Sequence, residues 1–210
     1  MKVLVFGHSF VNHYSRYLLQ QSQSAPDPHS NHYIDFSTMM NLDKTAQLVN
    51  IIGIPGLNIQ QAAHPQGILM NIAHQYDIVI LNLGANDLDT QNPAIQAHTS
   101  YVRIINLLDA LLTFGVKKVV FCHITQRAPY NIPRYAPSPA EINTAAYGLN
   151  LAISTYSNQN SDVTFWRLKG VNTPNALADD GLHLNFNGLL NYHHAIRRSI
   201  TNAAKSITHQ

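Results

Sequence analysis

Charge is scarce in this 210-residue chain: Lys, Arg, Asp and Glu together make up 11% of it, against about 25% in typical soluble proteins. That excludes a charged disordered tail, a long coiled coil, and a nucleic-acid binder working by dense Lys/Arg charge. Net charge is only +2, from 13 Lys and Arg against 11 Asp and Glu. The pI of 8.7 therefore reads as a sparse balance without a basic patch. Cysteine is nearly absent. Cys122 stands alone, which excludes an internal disulfide framework. Its place in the apolar run Val119-Val120-Phe121-Cys122 reads as a buried, inert thiol rather than a nucleophile. No apolar run approaches the ~20 residues of a membrane span. Val3-Leu4-Val5-Phe6 is too short for the apolar region of a signal peptide, usually ~7–15 residues. Nothing argues for secretion, and the expected location is the cytoplasm.

What the chain does have is a 45% apolar content and a repeating alternation of elements. Five β-rich runs recur: Lys2–Phe6, Gln47–Ile54, Asp77–Leu83, Lys117–Ile124 and Val163–Leu168. Their near-continuous Val/Ile/Leu/Phe content suits strands buried on both faces, as in a parallel sheet with helices on either side. Helical patterns lie between them. A first runs over about Phe10–Gln23. In another, Ile95, His98, Val102, Ile105, Leu108 and Leu112 keep a three-to-four spacing, with Asn92-Pro93 to cap its start and Gly115 its end. A third opens with the capping box Ser138-Pro139-Ala140-Glu141 and continues through Ile142, Ala146, Leu149, Ile153 and Tyr156. The last carries Leu189, His193, Ile196, Ile200 and Ala203, with Arg197, Arg198 and Lys205 towards its negative dipole end. Polar Ser24–Asn31 and the Pro/Tyr-rich stretch Thr125–Pro137 read as loops. The expectation is one domain over residues 1–210: a three-layer α/β/α sandwich on a five-stranded parallel sheet, flavodoxin-like, with strand order 2-1-3-4-5.

Open parallel sheets bind ligands beyond the carboxyl ends of their strands. After the first strand stands Gly7-His8-Ser9-Phe10; after the second, Ile54-Pro55-Gly56-Leu57-Asn58; after the third, Gly84-Ala85-Asn86-Asp87. The fourth ends in Cys122-His123, and beyond the fifth comes Asp179-Asp180-Gly181-Leu182-His183-Leu184-Asn185. A serine, glycines, an asparagine and an aspartate–histidine pair thus converge on one rim. Acyl transfer needs that inventory: a nucleophile, a base, an orienting carboxylate and donors for an oxyanion.

These blocks resemble those of the SGNH hydrolases, the GDSL-type esterase and lipase superfamily. Gly7-His8-Ser9 matches the family's Gly-Asp-Ser with one departure. Gly56 matches the second-block glycine, Gly84-Ala85-Asn86-Asp87 the Gly-x-Asn-Asp block, and Asp180-Gly181-Leu182-His183 the closing Asp-x-x-His, with Asn185 following. Each block is weak alone; four in register at strand ends are not. The resemblance implies Ser9 as nucleophile, His183 as general base and then acid, and Asp180 as the residue orienting His183. It implies an oxyanion hole from the backbone N–H groups of Ser9 and Gly56 and the side-chain amide of Asn86. The implied reaction is hydrolysis of a small acyl ester, acetyl foremost, through an acyl-serine, with neither metal nor organic cofactor. His8 replaces the family's aspartate, which is not a triad member, so the reaction need not be lost. The opening Gly-His-Ser-Phe and the closing Asp-Gly-x-His-x-Asn also resemble SGNH domains encoded in animal mobile elements, where association with nucleic acid or membrane would matter more than turnover.

Blander readings stand beside these. Ser9 can simply cap a helix, Gly56 occupy a turn, Gly84 allow a close approach, and Asn86 and Asp87 form Asx-turns. His8, His123, Tyr130 and Tyr135 are candidates to line a substrate pocket, or merely anchor their loops. His193 and His194, adjacent on a helix, diverge by roughly 100° and make a poor metal pair. The α/β-hydrolase elbow is not met, because Val11 stands where its second glycine belongs. A binding module that retained the fold with weakened catalysis is the rival to a working esterase.

Overall fold

Five of the apolar runs become strands of one parallel sheet in the computed structural model, which describes residues 1–22, 34–129 and 138–208. The strands are β1 (Lys2–Gly7), β2 (Leu48–Gly53), β3 (Ile78–Asn82), β4 (Lys118–Cys122) and β5 (Val163–Trp166), in the order β2-β1-β3-β4-β5. The expected order 2-1-3-4-5 is thus observed. Parallel strands need crossovers, and helices supply them on both faces. Helices α2 (Ile59–Ala62), α3 (Ile68–Ile72), α4 (Pro93–Thr113) and α5 (Pro139–Gln159) cover one face; α1 (Ser9–Gln21) and α6 (Phe186–Thr208) cover the other.

Alternating side chains of the central strands feed the two cores. Leu4, Phe6, Val79, Leu81, Val119 and Phe121 pack under the first helical layer. Val3, Val5, Ile78, Ile80, Val120 and Cys122 pack under α1 and α6. That is why these strands read as unbroken apolar runs rather than as alternating ones. Each fully buried Val, Leu, Ile or Phe contributes about 1.5–3 kcal/mol of transfer free energy. Cys122 is fully buried among them, and burial pushes its thiol far up, as expected of an inert side chain.

Helix starts follow local chemistry. Ser138 and Glu141 form the expected capping box on α5, with Pro139 in the first turn. Asn92 accepts from the Ile95 N–H at the start of α4. The buried face of α4 follows the expected stripe only in part: Leu108 is buried and Ile105 and Leu112 pack on the core. Ile95 and Val102 are 66% and 47% exposed, whereas Ser100, Ile104, Leu107, Leu108 and Leu111 are buried. This helix is apolar on more than one side, so spacing alone admits two stripes, and packing on α5 and the sheet selects the second.

One charge expectation also fails. Five of the sparse cations, Arg167, Lys169, Arg197, Arg198 and Lys205, line two adjoining clefts between the end of β5 and α6. The chain therefore carries a basic patch despite its near balance, because residues far apart in sequence meet across β5 and α6. Among the described residues, no helix is long and apolar enough to cross a membrane.

Candidate active site

The rim at the carboxyl ends of β1, β2 and β3 holds the first group of candidate residues. β1 passes almost directly into α1, so Ser9 occupies the first helical position with His8 as N-cap. The His8 Nδ1 accepts from the Phe10 N–H at 3.4 Å, and the main-chain N–H of His8 donates to the Asn82 carbonyl at 3.2 Å. His8 is therefore a buried cap beneath the turn rather than a pocket wall, only 3% exposed. Burial foremost, then the charges of His183 and Arg127, hold its imidazole down to about 4, against a weaker opposing hydrogen bond with the Asn82 side chain. The Asn82 amide donates in turn to the Tyr192 hydroxyl at 3.0 Å, which ties the floor of the site to α6.

After β2 the chain makes a tight turn, closed by the Leu57 N–H donating to the Ile54 carbonyl at 3.2 Å. Pro55 and Gly56 are its central residues, and Gly56 has φ +75°, the pattern of a type II turn. A side chain at Gly56 would meet no atom within 4 Å, so the need for glycine is conformational, not steric. Gly84 differs: at φ +99° a Cβ would also lie 2.7 Å from the Ile124 side chain. The loop after β3 is laced to the loop after β2. The Asn86 side-chain amide donates to the Leu57 carbonyl at 2.9 Å, and both Asp87 carboxylate oxygens accept from the Ile59 N–H at 3.1 Å. Asn86 is thus held next to the Gly56 turn with one amide hydrogen left over among the described residues. Asp87 serves the loop, and burial pushes its carboxyl up to about 6 despite the Ile59 hydrogen bond. Neither the Ser9 nor the Gly56 main-chain N–H has a hydrogen-bond partner among the described residues.

The loop before α6 holds the acid–base pair. Asp180 Oδ1 accepts from the main-chain N–H groups of Leu182 and His183, each at 2.9 Å. Its Oδ2 lies 2.6 Å from His183 Nδ1. Burial opposes the Asp180 charge, but these hydrogen bonds and the His183 charge outweigh it, holding the carboxyl below the usual aspartate range. The loop is itself pinned, with Ala178 N–H donating to the His183 carbonyl at 2.8 Å and Ala128 N–H to the Gly181 carbonyl at 3.0 Å. Asp179 is exposed.

One ring contact and one electrostatic interaction place His183 against α1. The rings of His13 and His183 lie 4.8 Å apart between centroids, tilted by 37°. His13 is one turn beyond Ser9 and shares its helix face. His8, just before Ser9, feels the His183 charge. Ser9 is bracketed by these two neighbours, although its hydroxyl makes no direct hydrogen bond to His183 here. Such bonds are often long without substrate and tighten in the complex. With a carboxylate-held imidazole beside a helix-start hydroxyl and spare N–H donors, the arrangement can deprotonate an alcohol and receive an oxyanion.

Residues 5–188 match the family described as GDSL-like lipase/acylhydrolase. The chain belongs to that family. No curated protein matches it in sequence. Solved structures match it throughout. A GDSL-like lipase from Bacteroides thetaiotaomicron superposes with TM-score 0.68 at 16% identity, over 96% of this chain and 88% of that one. Axe2, an acetylxylan esterase from Geobacillus stearothermophilus, gives 0.64 at 14%, over 95% and 93%. Est24, a carbohydrate acetylesterase from Sinorhizobium meliloti, gives 0.64 at 16%, over 96% and 98%. At these identities the likeness is one of fold.

Within this GDSL-like chain the other candidates fare differently. His123 lies at the end of β4, where its Nδ1 accepts from the Leu168 N–H at 2.8 Å. It lines a cavity of about 420 Å³ with residues such as Asn150 and Arg167, but not with Ser9, Asp180 or His183. Tyr130 and Tyr135 lie outside the described residues. Sequence reasoning missed His13, one of 12 histidines, whose i+4 spacing from Ser9 was the available signal. It also missed Arg127, whose guanidinium donates to the Ala85 carbonyl at 2.9 Å and pairs with Asp89 at 3.3 Å, bracing the Gly84–Asp87 loop.

Buried histidines make this fold acid-sensitive. His8 and His123 are each held down to about 4 from an ordinary 6.5. As pH falls below 6.5 the unfolded chain takes up these protons and the folded one does not, so stability is lost down to about 4. Half-buried His193 is likewise held down to about 4; Asp87, raised to about 6 from 3.8, works the opposite way below 6, but one carboxyl cannot offset three rings. The His8 contribution alone is about 3 kcal/mol at full extent, or several degrees in a chain of this size. The expected result is a midpoint that falls from pH 7 to 5 more steeply in wild type than in His8→Gln. Parallel thermal melts by circular dichroism check it; equal slopes refute it.

Proposed function

We propose that this chain is a serine esterase acting on short acyl esters, acetyl esters foremost. The observation that carries the reading is the position of His183: held by Asp180 at 2.6 Å on one side and packed on His13, a turn from Ser9, on the other. In the proposed mechanism Ser9 Oγ attacks the ester carbonyl as His183 Nε2 takes its proton. Asp180 keeps the proton on Nδ1 and stabilises the imidazolium that forms. The oxyanion is received by the N–H groups of Ser9 and Gly56 and by the free amide hydrogen of Asn86. Each such donor is worth roughly 10²–10³ in turnover, judged from a protease case. His183 then protonates the departing alkoxide, and water, activated by the same imidazole, releases the acid from the acyl-serine.

Two considerations support short acyl groups. Axe2 and Est24, by their descriptions, remove acetyl groups. The connections after β1, β2 and β3 are short, and none inserts an apolar segment that would roof an acyl tunnel. A ladder of nitrophenyl esters from acetyl to palmitoyl tests this. Acetyl and butyryl esters are expected to exceed palmitoyl by more than about ten-fold in kcat/KM, or 1.4 kcal/mol in barrier; the reverse order refutes it. Labelling by a serine-directed fluorophosphonate separates an activated Ser9 from the inert serine of a mere binding module.

A further inference from the structure

We infer that the clefts between β5 and α6 bind a single-stranded nucleic acid, apart from and independently of the Ser9 site. The two clefts, of about 400 and 490 Å³, adjoin through Trp166, His194 and Arg198, which line both. Arg197 and Lys205 complete one, Arg167 and Lys169 the other, and among the described residues no acidic side chain lines either. Arg167, Lys169, Arg198 and Lys205 are exposed, and none of them forms an ion pair among the described residues. Arg197 donates to the Asn41 carbonyl at 3.3 Å, while its Nε is buried without a partner among the described residues.

Grouping like charges costs free energy, since neighbouring cations within a Debye length of about 8–10 Å repel one another. In a chain with only 13 Lys and Arg, this grouping relieves nothing internal. An external polyanion would offset that repulsion. The shape says which one. From Asn191 to Lys205 the α6 wall runs about 21 Å at 1.5 Å per residue, long enough for several linked phosphates rather than one. Three of the five cations are arginines, whose planar forks match paired phosphate oxygens. Trp166 contributes an aromatic surface common to both clefts, steadied by its indole N–H donating to the Ala195 carbonyl at 3.0 Å. A cationic groove with an aromatic platform is what an unpaired strand requires, because every base has a π-face to stack. A bilayer offers a flat plane of headgroups that does not enter clefts. The exposed apolar side chains of α6, Phe186 and Leu190, sit towards its other end.

Trp166 is the only tryptophan in the chain, so its fluorescence reports on this site directly. The probes are oligo-uridine and oligo-thymidine of about 12 nucleotides, together with vesicles of phosphatidylserine and phosphatidylcholine. Binding of either oligonucleotide should quench Trp166 and raise the anisotropy of an end label, the two arms separating RNA from DNA. Affinity should fall with salt at a log–log slope near −3, for four or five phosphate contacts at about 0.7 each. Two exposed pairs are changed separately, Arg198→Gln with Lys205→Gln and Arg167→Gln with Lys169→Gln. Each pair should weaken binding about ten-fold or more and make the slope shallower by about 1.4, with esterase turnover unchanged. Silence of both probes at about 50 mM salt, wild-type affinity in both variant pairs, or binding to vesicles without binding to oligonucleotides overturns the proposal.

Discussion

Ser9→Ala is expected to fold normally and to lose turnover by about 10⁴-fold or more, which is over 5 kcal/mol of transition-state stabilisation. The hydroxyl supplies the bond-forming electron pair in the proposed reaction, and no neighbouring group replaces it. Cys122 is fully buried with its thiol pushed far up, so it offers no thiolate. His13 and His183 can polarise water, but without an acyl-enzyme they provide only the slow background route. Folding should survive because Ser9 caps nothing: the N-cap of α1 is His8, and the hydrogen bond to the Phe10 N–H comes from its ring. Alanine is also a good helix former at the first helical position. Steady-state kinetics on nitrophenyl acetate, with circular dichroism as the folding control, decides it. Unchanged turnover in the variant would end the assignment of Ser9 as nucleophile and the esterase mechanism with it.

The second large effect separates two adjacent aspartates. Asp180→Asn is expected to lower turnover ten-fold or more, with about 10⁴ as the upper guide from the protease template. Asp180 Oδ2 faces His183 Nδ1 at 2.6 Å, and Oδ1 accepts two main-chain N–H groups. An asparagine keeping its oxygen on those main-chain donors turns its NH₂ towards Nδ1. That favours the tautomer with the proton on Nε2, which cannot act as a base towards Ser9. Asp179 is exposed and its side chain makes no hydrogen bond among the described residues. Asp179→Asn should therefore stay within about three-fold of wild type, less than 1 kcal/mol. Kinetics on both variants at one pH discriminate. Greater damage from Asp179→Asn would mean that the wrong carboxylate has been assigned to the imidazole.

The elements most legible in the sequence were those set by local chemistry. Ser138 and Glu141 announce the start of α5 because the capping box closes within four residues. The strand runs announce a parallel sheet because burial on both faces leaves no polar alternation. The Asp180–His183 contact is equally local, since a three-residue spacing lets the carboxylate reach back within one turn. Gly56 reads as a turn residue from Pro55-Gly56, and the structure adds its positive φ.

Other features depend on distances that no local pattern contains. The face α4 buries is only partly legible from spacing: Leu108 belongs to the expected stripe, but Ile95 and Val102 obey the same period as Ile104 and Leu111 and are exposed. Only the approach of α5 and the sheet distinguishes the two stripes. His8 as a buried neutral cap required β1, β3 and α6 to close over it. His13 meets His183 across 170 residues of chain. Composition bounded net charge but not its placement, and β5 packed against α6 gathered Arg167, Lys169, Arg198 and Lys205 onto one side. The amino-acid sequence by itself determined the elements, their caps and the order in which functional blocks reach the rim, since hydrogen bonding and hydrophobic period act over a few residues. Which faces meet, which polar groups lose water and where like charges collect were decided only by tertiary packing, because desolvation and Coulomb interactions depend on distance in space rather than along the chain.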